Sequence, residues 1–281
     1  MTQDHAPASD PPAIVFSHAN SFPAGTYRVI FEAWRAAGFA VHAIEKYGHD
    51  PRFPVTSNWP HLRAQLIEFI EHEVARPAYL VGHSLGGFLS VMAASKRPDL
   101  ASGVVMLDSP ILSGWKASAL QIAKATGAGE RFSPAHVSKR RRQHWDSSEA
   151  ALAHFESKPV FGRWAPGVLA DYIAAGTEAH GTQQRLSFQR EVETAIYNTL
   201  PHHIDRLLRV HPLQCELAFV RGTESAEVRQ VGMHATERLA KGRIEAIAGS
   251  HLFPLERPAE TAATVLKLIA SMGQSAETRP L

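Results

Sequence analysis

Hydrophobic and polar positions along this chain switch between a short-strand pattern and a helical one. That alternation predicts a mostly parallel sheet covered by helices on both faces. Short apolar runs predict strands at Ala13-Ile14-Val15-Phe16, at 38–44 (Gly38 to Ile44), at Ala78-Tyr79-Leu80-Val81 and at 103–107, the last ending at Asp108. Two more follow late in the chain, at 217–222 and 244–247. Helices are predicted over 26–37, over 58–75 with Leu62, Leu66, Phe69 and Ile70 at helical spacing, over the segment after residue 84, around 228–240, and from about Pro258 to Met272. From Ser109 to Pro212 the alternation stops. That stretch reads as helical and irregular, rich in alanine, histidine and arginine, with no convincing strand. The predicted organisation is therefore an α/β core over 13–110 and 213–275, a helical insertion over 111–212 before the last two strands, and a flexible N-terminus over 1–12. No internal repeat interrupts it.

Composition narrows the function without naming it. The chain has 281 residues, enough for a large core, with 44% hydrophobic and 20% charged residues, as expected of a soluble globular protein. A formal charge of +2 gives no electrostatic case for nucleic acid as the main partner. Cys215 is the single cysteine, which removes intramolecular disulfides and cysteine-based metal sites; it is expected to be a small buried hydrophobe. The polar, proline-rich start has no apolar signal core, and no run approaches the roughly 18 apolar residues of a membrane span. A cytoplasmic location with no membrane partner is expected.

One stretch carries most of the chemistry. Gly82-His83-Ser84-Leu85-Gly86 directly follows the apolar run at 78–81 and precedes a segment of helical composition. A serine at the apex of a sharp strand-to-helix turn needs neighbours without side chains, so that the backbone can fold tightly and a substrate carbonyl can reach Oγ. Serine is a poor nucleophile at neutral pH and needs an imidazole within hydrogen-bond reach.

Four landmarks make the chain resemble the capped α/β-hydrolases of the esterase, carbon–carbon hydrolase and haloalkane dehalogenase group: Ser17-His18-Ala19-Asn20, the elbow at Ser84, Asp108 after the following strand, and the run from Gly249 to Pro258 containing Ser250-His251 and Glu256-Arg257. The resemblance spans about 13–110 and 213–275 and makes the insertion a helical cap. It implies Ser84 as nucleophile, His251 as general base, and backbone N–H groups of Leu85 and Asn20 as the oxyanion hole, the Asn20 side chain assisting. The carboxylate that orients the base stays open. The family commonly places it in a Gly-x-x-Asp turn, but here the loop reads Gly222-Thr223-Glu224-Ser225-Ala226-Glu227, leaving Asp108, Glu224 and Glu227 as candidates. Serine, where dehalogenases and epoxide hydrolases carry aspartate, favours attack on an acyl carbon.

The resulting expectation is a carboxylesterase-like serine hydrolase acting on a small acyl substrate, with no cofactor and no metal, a homodimer being left open. Hydrolysis of a carbon–carbon bond in a diketone, or a ligand-binding homologue without catalysis, are the alternatives. Trp115, Phe132, Trp145, Phe155, Phe161 and Trp164 would line an acyl pocket or pack the cap. Lys139-Arg140-Arg141-Arg142 reads as a solvated helix face rather than an anion site, and the histidines at 136, 144, 154, 180, 202 and 203 read as surface or packing residues. His83 is expected to pack, and residues 47–53 to form a loop beside the mouth of the site.

Overall fold

The computed structural model describes residues 10–126 and 138–277; Phe132 and His136 lie outside them. Six strands form one sheet in the order β2-β1-β3-β4-β8-β9: β1 Ala13–Ser17, β2 Ala40–Ala43, β3 Ala78–His83, β4 Ala101–Leu107, β8 Leu217–Gly222 and β9 Ile244–Ile247. Every neighbouring pair is parallel. Successive strand residues sort to opposite faces. Val15, Leu80, Val104, Met106 and Phe219 join a core with Leu62 and Leu66 of α2 (Pro60–Phe69) and Leu89 and Met92 of α3 (Leu85–Lys96). Phe16, Val81, Val105, Leu107 and Val220 pack on the other face with Trp34 of α1 (Arg28–Ala36) and Val265 and Leu268 of α12 (Pro258–Glu277). Each such side chain, fully buried, contributes about 1.5–3 kcal/mol. Here the period-two pattern and the two helical layers agree.

The chain runs up β1, out to β2 at the edge, and back past β1 to β3. This reversal leaves a crevice at the carboxyl ends of β1 and β3, where ligands bind in open α/β sheets. The loop after β1 and the turn after β3 therefore face each other.

The segment between β4 and β8 departs from the all-helical expectation. It contains α4 (Gly114–Thr126), α5 (Ser148–Glu156), α6 (Val168–Gly176), α7 (Arg190–Asn198) and α8 (Ile204–Val210). It also contains a small antiparallel sheet of β5 (His144–Trp145), β6 (Thr177–His180) and β7 (Gln183–Leu186), in the order β5-β7-β6. Gly181, at φ 62°, lies between β6 and β7. The strands are mostly polar and half exposed, so they carry little of the apolar signal by which strands are read from sequence. The helix expected over 228–240 is broken into α9 (Ala226–Val231) and α10 (His234–Ala240) at Gly232, whose φ is 85°. A short α11 (Phe253–Glu256) precedes α12. Among the described residues no helix is long and apolar enough to cross a membrane.

Candidate active site

Ser84 stands between β3 and α3 at φ 53°, ψ −113°, a strained conformation for a residue with a side chain. The turn survives because its neighbours lack Cβ atoms. A Cβ on Gly82 would meet the carbonyl of Gly86 at 2.2 Å, one on Gly86 would meet the Ser17 carbonyl oxygen at 1.9 Å, and one on Gly87 would meet Ser109 Oγ at 2.2 Å. The elbow is also clamped from β4: Ser84 N–H donates to the Leu107 carbonyl at 2.9 Å, and Ser109 Oγ donates to the Ser84 carbonyl at 2.8 Å.

His251 comes from the loop after β9, two strands away from β4. It reaches back because that loop folds across the end of β8, with Thr223 N–H on the Ile247 carbonyl and Glu224 N–H on the Gly249 carbonyl. Gly222 permits the crossing, since a Cβ there would lie 2.3 Å from the Ser250 carbonyl oxygen. The Glu256-Arg257 pair secures the loop. Glu256 accepts from Ser250 N–H at 3.0 Å and Ser250 Oγ at 2.6 Å, and Arg257 Nε donates to the Ala248 carbonyl at 2.8 Å.

The imidazole meets Asp108. His251 Nδ1 lies 2.7 Å from Asp108 Oδ2, and the Asp108 side chain is fully buried. Asp108 itself sits at φ 49°, which aspartate tolerates better than most residues. Its Oδ1 accepts from Gly222 N–H at 2.8 Å and its Oδ2 from Ser225 Oγ at 2.5 Å. Burial pulls the His251 pKa down, but the Asp108 hydrogen bond and the charges of Glu227 and Asp108 outweigh it and leave the value raised. Asp108, Glu227 and His251 bring three ligand-type atoms within 4.8 Å of one another. Two of them, His251 Nδ1 and Asp108 Oδ2, share the 2.7 Å hydrogen bond.

The other acidic candidates are placed differently. Glu224 turns outward, 56% exposed, and pairs with Arg163 at 2.9 Å; the structure does not bring it to His251. Glu227 lies 3.8 Å from His251 Nδ1.

Across the crevice, Phe22 N–H bonds the Ala19 carbonyl at 3.1 Å, closing a turn that contains Asn20 and Ser21, the latter at φ 78°. The Asn20 side chain is tied to the insertion: Nδ2 donates to the Glu193 carbonyl of α7 at 3.1 Å. Leu85 supplies the first N–H of α3, one of the helix-start amides with no intrahelical partner. His18 is held neutral, its pKa lowered to about 4 by burial. The Tyr47 N–H donates to His18 Nε2 at 3.0 Å, so the proton sits on Nδ1, which donates to the Ala19 carbonyl at 2.8 Å.

Some side chains behave differently from their sequence reading. Arg141 is no solvated residue. It is mostly buried, donates to Glu193 Oε2 and to the Tyr172 hydroxyl at 2.6 Å each, and so ties α7 to α6 above the Asn20 turn. His83 does more than pack, because both ring nitrogens are hydrogen bonded. Trp145, Phe155 and Trp164 are buried in the insertion, Phe155 and Trp164 against Tyr172 of α6 and Trp145 against Phe155 of α5, whereas Trp115 is 75% exposed. Cys215 is half-buried, and burial raises its thiol to about 11. Sequence reasoning passed over Tyr27, Ser225 and Arg163; a serine where the family carries an acid was the available signal for Ser225.

Comparisons with known proteins agree with this architecture. The model of the alpha/beta hydrolase family matches residues 14–264. Sequence relatives include the monoglyceride lipases of Rattus norvegicus, 28% identical over 130 residues, and of Mus musculus, 28% over 128, each match covering 42% of either chain. The chain thus spans under half the length of these curated relatives. Similar solved structures include E-2-(acetamidomethylene)succinate hydrolase (TM-score 0.70, 21% identity, 92% of this chain and 91% of that one). Epoxide Hydrolase A from Mycobacterium thermoresistibile is another (TM-score 0.66, 17% identity, 94% and 92%). At these identities they speak to the fold alone.

Proposed function

This chain belongs to the alpha/beta hydrolase family, and from that premise we propose that it is a serine hydrolase cleaving a small carboxylic ester through an acyl-enzyme on Ser84. The observation that carries the reading is the 2.7 Å bond between Asp108 and His251 beside the strained serine elbow. In this mechanism His251 takes the Ser84 proton as Oγ attacks the acyl carbon. Asp108, acceptor-only when ionised, keeps the Nδ1 proton in place and stabilises the imidazolium. The negative charge that develops on the substrate oxygen is met by the backbone amides of Leu85 and Asn20, each such donor being worth about 3 kcal/mol in the transition state. The imidazolium then protonates the departing alcohol, and a water activated by the same imidazole releases the acid.

A serine at the elbow supports acyl transfer over displacement at a saturated carbon. The segment over 111–212 acts as the cap that selects the acyl group. Its contacts with the core beside the crevice include Phe22 against Trp164 and Tyr172, both at 5.7 Å between ring centroids, and the Asn20–Glu193 bond.

Fluorophosphonate labelling followed by intact mass tests the reading. One adduct on the wild type, lost in Ser84→Ala and slowed in His251→Ala, together with turnover of short p-nitrophenyl esters, is the expected result. A folded wild type that neither labels nor turns over these esters would overturn it.

A further inference from the structure

Glu227 sits in the first turn of α9, whose N-cap is Ser225: Ser225 Oγ accepts from Val228 N–H at 3.1 Å. An acid there needs no special explanation, since a helix start favours negative charge. That preference leaves one thing unexplained, namely the direction of the side chain. Glu227 turns back toward the β4 end, with Oε2 3.8 Å from His251 Nδ1 and 3.4 Å from Ser225 Oγ. The same Ser225 hydroxyl lies 2.5 Å from Asp108 Oδ2. A hydroxyl has one proton to donate; it goes to Asp108, the nearer acceptor, and Glu227 is left beside it with no stronger hold on that donor.

From this geometry we infer that Glu227 is a positioning residue for the base: a second, solvent-facing carboxylate on His251 that shares the stabilisation of its imidazolium with Asp108 and stands in for Asp108 when that group is neutral. The inference rests on His251 being the general base. The groups facing the imidazole from the elements packed on it are Asp108 at the end of β4, Glu227 on α9, and His83 at the end of β3, whose ring centroid is 5.1 Å away. Burial holds His83 neutral, so the two carboxylates carry the charge that the imidazolium meets. They differ in access: the Asp108 side chain is fully buried, whereas that of Glu227 is 48% exposed. Water screens Glu227, so its effect is smaller. Exposure also leaves it room to swing the short distance to Nδ1.

The test combines a titration with a double-mutant cycle. The His251 imidazole is titrated by NMR in the wild type and Glu227→Gln, with His251→Gln used to identify its resonances. The expected result is a pKa lower by about half a unit in Glu227→Gln, with the acidic limb of kcat/KM moving down by the same amount. Asp108→Asn is expected to lower kcat/KM about 10³-fold, and Asp108→Asn/Glu227→Gln about 10-fold further, a larger factor than Glu227→Gln produces in the wild-type background. An unmoved His251 titration, or a double variant no slower than Asp108→Asn, would overturn the inference. Failure of the serine-hydrolase reading shows separately as absence of Ser84 labelling, because the NMR titration needs no turnover.

Discussion

His83 donates from Nε2 to the carbonyl oxygen of His251 at 2.9 Å, so the residue beside Ser84 holds the loop that carries His251. A carbonyl can only accept, which places the ring proton on Nε2 and leaves Nδ1 to accept from the Tyr27 hydroxyl at 2.8 Å. That hydroxyl in turn accepts from the Ala19 N–H at 3.3 Å. A buried relay thus joins the turn after β1, the elbow and the His251 loop, the three segments that the proposed acyl transfer would require in register.

Tyr27→Phe removes one atom from this relay and leaves the buried His83 Nδ1 without a donor. A group orphaned this way costs about 1–3 kcal/mol. The expected outcome is a urea midpoint lowered accordingly and a kcat/KM reduced by roughly 10-fold, measured on p-nitrophenyl esters. Wild-type values for both would show that the relay carries no constraint.

Gly86→Ala probes the closeness of β1 and α3. The added methyl would meet the Ser17 carbonyl oxygen at 1.9 Å, an atom of the central sheet with no side-chain freedom to yield. Overpacking of this kind costs about 1–3 kcal/mol, more where backbone must move. The thermal midpoint should fall by several degrees, whereas Gly162→Ala, where a methyl meets nothing within 4 Å, should leave it in place.

Asp108→Asn and Glu224→Gln separate two of the three acids, Asp108, Glu224 and Glu227, among which the sequence alone could not choose. Asp108 is fully buried with His251, Gly222 and Ser225 on its oxygens, so the amide should slow fluorophosphonate labelling about 10³-fold. Glu224 has a half-exposed ion pair with Arg163, worth under about 1 kcal/mol. Its variant should label at the wild-type rate. The reverse ranking would move the acid to Glu224.

The contrast between these residues marks what could be read from sequence. The elbow was legible because its glycines answer a local steric demand, and the strands because buried parallel strands write apolar runs. The acid was not: whether a carboxylate at 108, 224 or 227 reaches residue 251 depends on how the β9 loop crosses β8, and the Gly222–Ser250 approach that sets this is a long-range contact. Arg141 escaped for a related reason. A run of four cations looks solvated unless one knows that Glu193 and Tyr172 are brought over the third of them. The β6–β7 hairpin escaped because its residues are mostly polar, with Leu186 the one large apolar side chain among them.

Acid should destabilise the fold through the histidines of the site. His18 is neutral when folded, its pKa lowered from 6.5 to about 4 by burial, and burial also takes His83 well below its usual value. Between pH 6.5 and 4 the unfolded chain therefore binds a proton at position 18 that the folded chain excludes, and stability falls as the pH falls. The loss for His18 alone reaches about 3 kcal/mol near pH 4, and His83 adds in the same direction. His251 works in the opposite sense. Its raised value contributes stability that is fully present below the unfolded pKa and is lost as the pH rises through the folded one. Urea denaturation from pH 7.5 to 4.5 should show stability falling with a slope steeper than one proton below pH 6. His18→Asn, whose amide can still donate and accept in this turn, should start from a lower stability but lose it less steeply with acid. Equal slopes for the two proteins would mean that His18 takes up its proton without unfolding, and the neutral, doubly hydrogen-bonded imidazole beneath the Asn20 turn would have to be abandoned.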